Sequence, residues 1–260
     1  MVRANILDSF FSGMSGVVLP IPKYRFPENF QTSSRLTYYS SLFNSIEINR
    51  SFYTLPNGKT LAKWSKEVPE NFTFTFKFWK QVTHTKGLEF DEFDVKLFLD
   101  AINNVGNKRG CLLIQFPASV KNESIDQLQH LLHIVQKNNT VNLWKVAIEF
   151  RDSSWYTKDT YELVEEYNST IVIHDKSRAS FPTVPLKCNT IYIRFHGPAG
   201  DYRGSYDEVF LHEYATYICE WLIEGKLVFV YFNNTMGQAF DNLKTLNAYV
   251  SSTLKDVSNA

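Results

Sequence analysis

The chain has 260 residues, 44% of them hydrophobic, with 27 basic and 27 acidic side chains. This length suits either two modest domains or one large α/β barrel, and the balanced charge excludes the global signature of a dedicated nucleic-acid binder. Cys111, Cys188 and Cys219 are odd in number and scattered, which excludes a disulfide scaffold; with no signal peptide and no apolar run of spanning length, a soluble cytoplasmic protein without a membrane partner is expected.

The segment Phe10–Gly16 is a short strand or turn whose small residues would let the backbone approach a ligand closely. Leu36, Tyr39, Leu42 and Phe43 then keep helical spacing ahead of a second strand, Ser45–Asn49. Along that strand Ile46 and Ile48 share one face, and Glu47 and Asn49 the other. After the turn at Pro56-Asn57-Gly58, Leu61, Trp64 and Val68 predict a helix stopped by Pro69. The run Phe72–Phe78 alternates strictly, with phenylalanines on one face and Thr73, Thr75 and Lys77 on the other. A loop containing Thr83-His84 leads to a helix with Val95, Phe98, Leu99 and Ile102 at core spacing. The fourth strand, Cys111–Phe116, has Gln115 as its polar residue, and Ser124 is expected to cap a helix bearing Ile125, Leu128, Leu132 and Val135.

The fifth strand, Val146–Arg151, sets Val146, Ile148 and Phe150 against Ala147, Glu149 and Arg151. Burying that second face is costly unless its charges find partners. Tyr161, Val164 and Tyr167 mark a short helix, and the sixth strand, Thr170–Ile173, ends in His174-Asp175, whose inward member the periodicity does not assign. The stretch from Lys176 to Asn189 has prolines and no helical period, so the helix expected there is missing or rudimentary. In the seventh strand, Ile191–His196, Tyr192, Arg194 and His196 oppose Ile191, Ile193 and Phe195. A glycine-rich loop with Tyr202 precedes a helix carrying Leu211, Tyr214, Ile218 and Leu222. The last strand, Leu227–Phe232, runs into Asn233-Asn234 and a helix with Ala239, Leu243, Leu246 and Val250.

About eight strand and helix alternations predict parallel βαβ units and a single TIM (β/α)8 barrel domain over residues 1–260. A doubly wound sheet is the rival, but neither Gly-x-Gly-x-x-Gly nor a P-loop pattern occurs. Glu47, Asn49, Lys77, Gln115, Glu149, Arg151, Arg194, His196 and Asn233 all oppose an apolar face and crowd the strand ends. In a barrel they would ring the C-terminal mouth.

These residues carry a resemblance. Phe43–Asn49 with Ser51-Phe52-Tyr53 and Leu55-Pro56, Phe74–Lys77 with Thr83-His84, and Gln115-Phe116-Pro117 resemble the YecE-like family, also described as domain of unknown function 72. So do Glu149-Phe150-Arg151 with Ser154-Trp155, Tyr192–Pro198 with Tyr202–Tyr206, and Tyr231–Asn234 with Asn242. The family is similar to TIM barrels of the endonuclease IV and xylose isomerase kind, so the resemblance implies the fold and no particular reaction. The chain departs from the family's Gly-Thr-Ser-Gly-Trp at Gly13–Val17, where Val17 replaces the tryptophan.

Glu47 and Glu149 against Lys77, Arg151 and Arg194 leave one positive charge in excess. This points to a small anionic molecule, phosphorylated or carboxylated, held by Lys77, Arg151 and Arg194. Glu47 or Glu149 would serve as general base or acid with His196 as proton-transfer partner, because an unperturbed imidazole titrates near neutrality. Asn49, His84, Gln115, Tyr202 and Asn233 complete the expected substrate contacts, and Phe52, Tyr53 and Trp155 offer rings. No cofactor is expected; the minor alternative is a divalent metal on Glu149, Asp175 and His196, opposed by the neighbouring cations. Two other functions fit the same residues: a metal-assisted phosphodiesterase of the DNA-repair type, with nucleic acid the less favoured partner, and a non-catalytic ligand-binding or partner-binding barrel.

Overall fold

A computed structural model describes residues 6–139, 144–176 and 187–259. Nine strands, β1 Phe10–Met14, β2 Ser45–Ile48, β3 Thr73–Lys77, β4 Arg109–Gln115, β5 Lys145–Glu149, β6 Thr170–Ile171, β7 Ile173–His174, β8 Thr190–Phe195 and β9 Leu227–Phe232, pair exclusively in parallel among these residues. They form one sheet in the order β2-β3-β4-β5-β6 and a second in the order β1-β9-β8-β7. The predicted sixth strand is thus split at Val172. Its first half pairs with β5 and its second with β8, while the Val172 amide donates to Ile148 O at 2.8 Å.

At the other edges β1 lies against β2 without a main-chain ladder. Asn44 bridges them, accepting from Ser12 N at 2.9 Å and donating to Phe10 O at 2.7 Å. Gly13 sits so close that a Cβ there would stand 2.1 Å from Ser45 O. At Gly13 the missing side chain admits the backbone of the neighbouring strand.

The helices are α1 Arg35–Ser40, α2 Gly58–Glu67, α3 Lys80–Thr83, α4 Glu92–Ile102, α5 Ile125–Asn138, α6 Lys158–Glu166, α7 Glu208–Ile223 and α8 Ala239–Asn259. Side chains of Ser34, Asn57, Asp91, Thr157 and Asp207 accept a backbone N–H and cap α1, α2, α4, α6 and α7. Ser124 stands at the cap position of α5 without that bond, since a 3-10 turn over Asn122–Ser124 gives it a non-extended backbone. Leu42 corrects the first helical stripe: α1 ends at Ser40, which leaves Leu42 41% exposed while Phe43 is buried. The predicted absence of a helix between Lys176 and Asn189 falls mostly outside the described residues.

Strand alternation sorts the interior into two cores. Outward residues such as Ile46, Phe74, Phe76, Leu112, Ile148, Ile193 and Val230 pack under the helices. Inward residues Cys111, Leu113, Ala147, Val172, Tyr192, Phe229 and Tyr231 form a separate cluster between the sheets. Tyr231 crosses it to bond Ser45 Oγ at 2.6 Å and Thr75 Oγ1 at 2.8 Å, joining β9 to β2 and β3. This inner apolar layer is the floor beneath the polar strand ends. Val17 is half-buried against the outer core, and Trp155 belongs to that core, fully buried and stacked on Phe150 at 4.7 Å; Trp155 is therefore not a mouth ring. No helix among the described residues is long and apolar enough to cross a membrane.

Candidate functional site

One register step above the inner core, the strand ends carry a buried ion network centred on Arg194, which is 1% exposed. Its Nη2 donates to Glu47 Oε1 at 2.7 Å and its Nη1 to Glu149 Oε2 at 2.5 Å. Glu47 also accepts from Ser15 Oγ and Tyr192 OH, both at 2.6 Å, so both of its oxygens are engaged. Glu149 Oε1 pairs with Arg151 Nη2. Burial is the largest single influence and opposes ionisation of both carboxylates, but it is outweighed jointly: the Arg194 charge with hydrogen bonds from Arg194, Ser15 and Tyr192 holds Glu47 below, and the Arg194 and Arg151 charges with the neighbouring histidines hold Glu149 well below, the usual carboxylate range.

The unassigned pair at the end of β7 resolves into two roles. His174 receives the Lys176 amide on Nδ1 at 3.2 Å, so its Nε2 carries the proton and donates to Phe150 O at 3.0 Å. Asp175 Oδ1 accepts from His196 N at 2.8 Å and from His196 Nδ1 at 3.1 Å, and its Oδ2 from Tyr206 OH. With Nδ1–H given to Asp175, His196 Nε2 is left facing two guanidinium donors, Arg151 Nη2 at 3.1 Å and Arg194 Nη1 at 3.4 Å. Burial first, then the adjacent guanidiniums, lower the His196 pKa to about 4. The expectation of an imidazole titrating near neutrality is corrected on this point: the fully buried ring is a neutral acceptor.

This neutrality makes stability depend on acid. An unfolded histidine binds its proton near pH 6.5 and the folded His196 only near 4, so the unfolded state holds more protons between those values and stability falls as pH drops through that window. We expect His196 to contribute a loss of about 2 kcal/mol in urea unfolding between pH 7 and pH 5, in addition to losses from His84 and His174, whose pKa values burial also lowers. The His196→Gln variant should lack the His196 share and so show a shallower slope than wild type; an unchanged pH slope in the variant would refute the assignment.

Lys77, the last residue of β3, is half-buried, with its ammonium 4.1 Å from the Phe52 ring centroid. Ser51 Oγ is 2.7 Å from both Ile48 O and Lys77 O, which fixes that ring beside the strand end. Among the described residues Lys77 has no carboxylate at ion-pair distance, because Glu47 and Glu149 are committed to arginines. Burial and the Arg194 charge lower its pKa to about 8.

The remaining expected contacts are placed unevenly. Tyr202, at φ +70, donates its N–H to His196 O at 2.6 Å and sets its ring 5.7 Å from the imidazole, with Lys176 Nζ 4.2 Å over its outer face. Asn49 is half-buried beyond β2, its Oδ1 without a partner among the described residues. Arg151 Nε and Tyr156 OH are likewise buried and unpartnered there. Gln115 turns back on its own strand, Nε2 donating to Phe116 O at 2.8 Å. His84 is exposed, edge-on to Phe52 and 2.9 Å from Thr83 Oγ1, so the structure places it on the rim and not in the ion network. Asn233 is half-buried, and its backbone N–H continues the ladder to Phe195 O.

Ser15 is absent from the expected site, while Tyr192 is read in the sequence only as a residue on the Arg194 face, and Tyr206, Asn234 and Asn242 only as motif residues, none with a site role. Tyr192 shares the parity of Arg194 and Ser15 that of Gly13, so alternation held the signal for both. Asn234 and Asn242 hold the loop bearing Tyr202 and Tyr206: Asn234 Nδ2 donates to Gly204 O and to Asn242 Oδ1, and Asn242 Nδ2 to Ser205 Oγ. The metal alternative of Glu149, Asp175 and His196 does not converge. Glu149 lies on the Nε2 side of the imidazole at 3.8 Å and Asp175 on the Nδ1 side, so one ion cannot meet all three. No group of three potential metal ligands occurs among the described residues.

Parallel strands alternating with helices, an apolar floor and charged groups gathered at the strand ends define an α/β protein of the TIM-barrel-like class. Solved structures agree at the level of fold. A DUF72 family protein from Enterococcus faecalis V583 matches with a TM-score of 0.77 at 21% identity, covering 93% of this chain and 95% of that one. The AP endonuclease, family 2, of Brucella melitensis matches with 0.58 at 11% identity over 92% of this chain and 98% of that one. In sequence, the UPF0759 protein YunF of Bacillus subtilis (strain 168) is 29% identical over 259 residues, covering 85% of this chain and 88% of YunF. Residues 21–260 match the model of the family described as "Protein of unknown function DUF72", and the chain belongs to that family.

Proposed function

We propose that the chain is a single-domain (β/α)8 barrel whose mouth binds a small carboxylated or phosphorylated molecule and acts on it by proton transfer. The junctions at Val172 and at Asn44 support a closed wall of strands. The observation that carries the anion reading is the unpaired Lys77 ammonium at the strand ends, beside an Arg151 whose Nε also lacks a partner among the described residues. Burying a cation without a counter-charge is costly, and an anionic ligand offsets that cost.

In this reading Lys77 and Arg151 hold the anion, and Asn49, Tyr156 and Tyr202 shape the space around it. Arg194 and Glu47 are the scaffold, since both Glu47 oxygens and both terminal nitrogens of Arg194 are used within the network. Glu149 and His196, both held without a mobile proton, are the acceptors nearest the ligand, and Lys77 is the donor that titrates closest to neutrality. A metal-assisted phosphodiesterase finds no support in the divided placement of Glu149 and Asp175.

The test is ligand-induced stabilisation. At a concentration one hundred times Kd, a ligand specific for the folded state adds about 2.7 kcal/mol, which thermal unfolding detects readily. Oxalate or inorganic phosphate should raise the wild-type Tm, and the increment should vanish in Lys77→Met and in Arg151→Ala. Comparing increments, not absolute Tm values, removes any effect of the substitutions on stability. Equal increments in all three proteins would end the anion reading.

A further inference from the structure

We propose that Lys77 is a nucleophilic amine that forms an imine with the carbonyl carbon of a small 2-oxo acid whose carboxylate rests on Arg151. This rests on the anion reading above and names its substrate class. Three cations share the strand ends, and they are not equivalent. Arg194 gives both terminal nitrogens to Glu47 and Glu149, with its buried Nε unpartnered among the described residues, and Arg151 spends Nη2 on Glu149 and His196. Lys77 alone of the three is a primary amine, and it alone lacks a carboxylate among the described residues.

Its position suits the chemistry. The side chain leaves the end of β3 half-buried over the Phe52 ring, a surface that Ser51 pins to the strand. Arginine charges beside a lysine favour the unprotonated, nucleophilic amine. At neutral pH a lysine with a pKa near 8 is free amine in about a two-hundredfold greater fraction than one at the ordinary value of about 10.4. The buried and unpartnered Arg151 Nε provides a donor for a carboxylate, and Tyr156 OH and Asn49 Oδ1 are further polar atoms still without partners.

The step balances without any redox partner. The Nζ lone pair forms a bond to the carbonyl carbon while the π pair moves to the oxygen, which takes up a proton from solvent. Nitrogen then gives up one proton to solvent, the hydroxyl takes up a second, and the carbon–oxygen bond breaks to release water as the carbon–nitrogen double bond forms, so that the protonated imine and water arise with net uptake of one solvent proton. The protonated imine withdraws electrons from the neighbouring carbon, so the reactions it serves are those that break a bond to that carbon.

Reductive trapping tests this on the whole chain. Wild-type protein is treated with glyoxylate and cyanoborohydride at pH 7, and carboxymethylation is mapped by peptide mass spectrometry. Lys77 should label at least about tenfold faster than the exposed Lys80. Excess oxalate should slow Lys77 about tenfold and leave Lys80 unchanged, and Arg151→Ala should slow labelling by glyoxylate but not by formaldehyde, which has no carboxylate. Labelling of Lys77 no faster than Lys80 overturns the proposal; if calorimetry still detects oxalate binding, the anion reading stands without it. Fast labelling by formaldehyde with no oxalate binding overturns the anion reading and the carboxylate part of the proposal.

Discussion

Arg194→Met is expected to lower the free energy of unfolding by about 3–5 kcal/mol at neutral pH, because it strips a fully buried guanidinium from two buried carboxylates. Glu47 would keep Ser15 and Tyr192, and Glu149 would keep Arg151, but neither hydroxyl donor supplies a counter-charge. The loss should depend on pH in a definite sense. Without Arg194, Glu47 keeps no counter-charge and burial drives its folded-state pKa upward, so the folded variant takes up a proton there more readily and recovers stability as pH falls, while Glu149 keeps Arg151. Denaturant titrations of wild type and variant at pH 7 and pH 5 should therefore show a smaller gap at pH 5. Adding Glu47→Gln to Arg194→Met should restore at least about 1 kcal/mol, since partners in one network do not add independently. Simple additivity of the two losses would argue against the network.

The second large effect is expected at Gly13. In Gly13→Ala the new methyl would overlap Ser45 O at 2.1 Å, and Tyr39 OH would stand at 2.9 Å. The first of these is backbone, so relief requires β1 to move off β2, at the very seam where a side chain substitutes for a ladder. A cost near 3 kcal/mol, the upper part of the usual range for overpacking, is expected from urea unfolding. Gly16→Ala is the control. Gly16 has φ +120 and open space around it, so the substitution pays only for conformation, about 1–2 kcal/mol. A Gly13→Ala variant as stable as Gly16→Ala would mean that the two strands are not held together there.

The failures of the sequence reading share a cause. Leu42 was placed on a stripe that α1 does not reach, because where a short helix stops depends on what its next turn would pack against. Trp155 looked like a mouth aromatic since it follows a polar strand end, yet its ring stacks on Phe150 and its Nε1 donates to Val120 O at 2.8 Å. At Gly13 only the neighbouring strand shows which backbone arrives. His196 was given its solution pKa, and that value cannot survive full burial against two guanidiniums.

What the sequence determined by itself is the face each residue takes. Side chains alternate along a strand whatever surrounds it, so Glu47, Lys77, Glu149, Arg151, Arg194 and His196 could be assigned to one face and one end from their spacing alone. The number and direction of the alternating elements followed from the same local rules. What tertiary structure decided is who meets whom. Arg194 pairs with Glu47 across 147 positions and with Glu149 across 45, and Asp175 reaches His196 across 21; these contacts depend on strand order and register, which no local period encodes. The protonation states follow from those contacts and from burial, so the chemistry of the site, including an unpaired Lys77 among paired arginines, came into being only when the sheets were assembled.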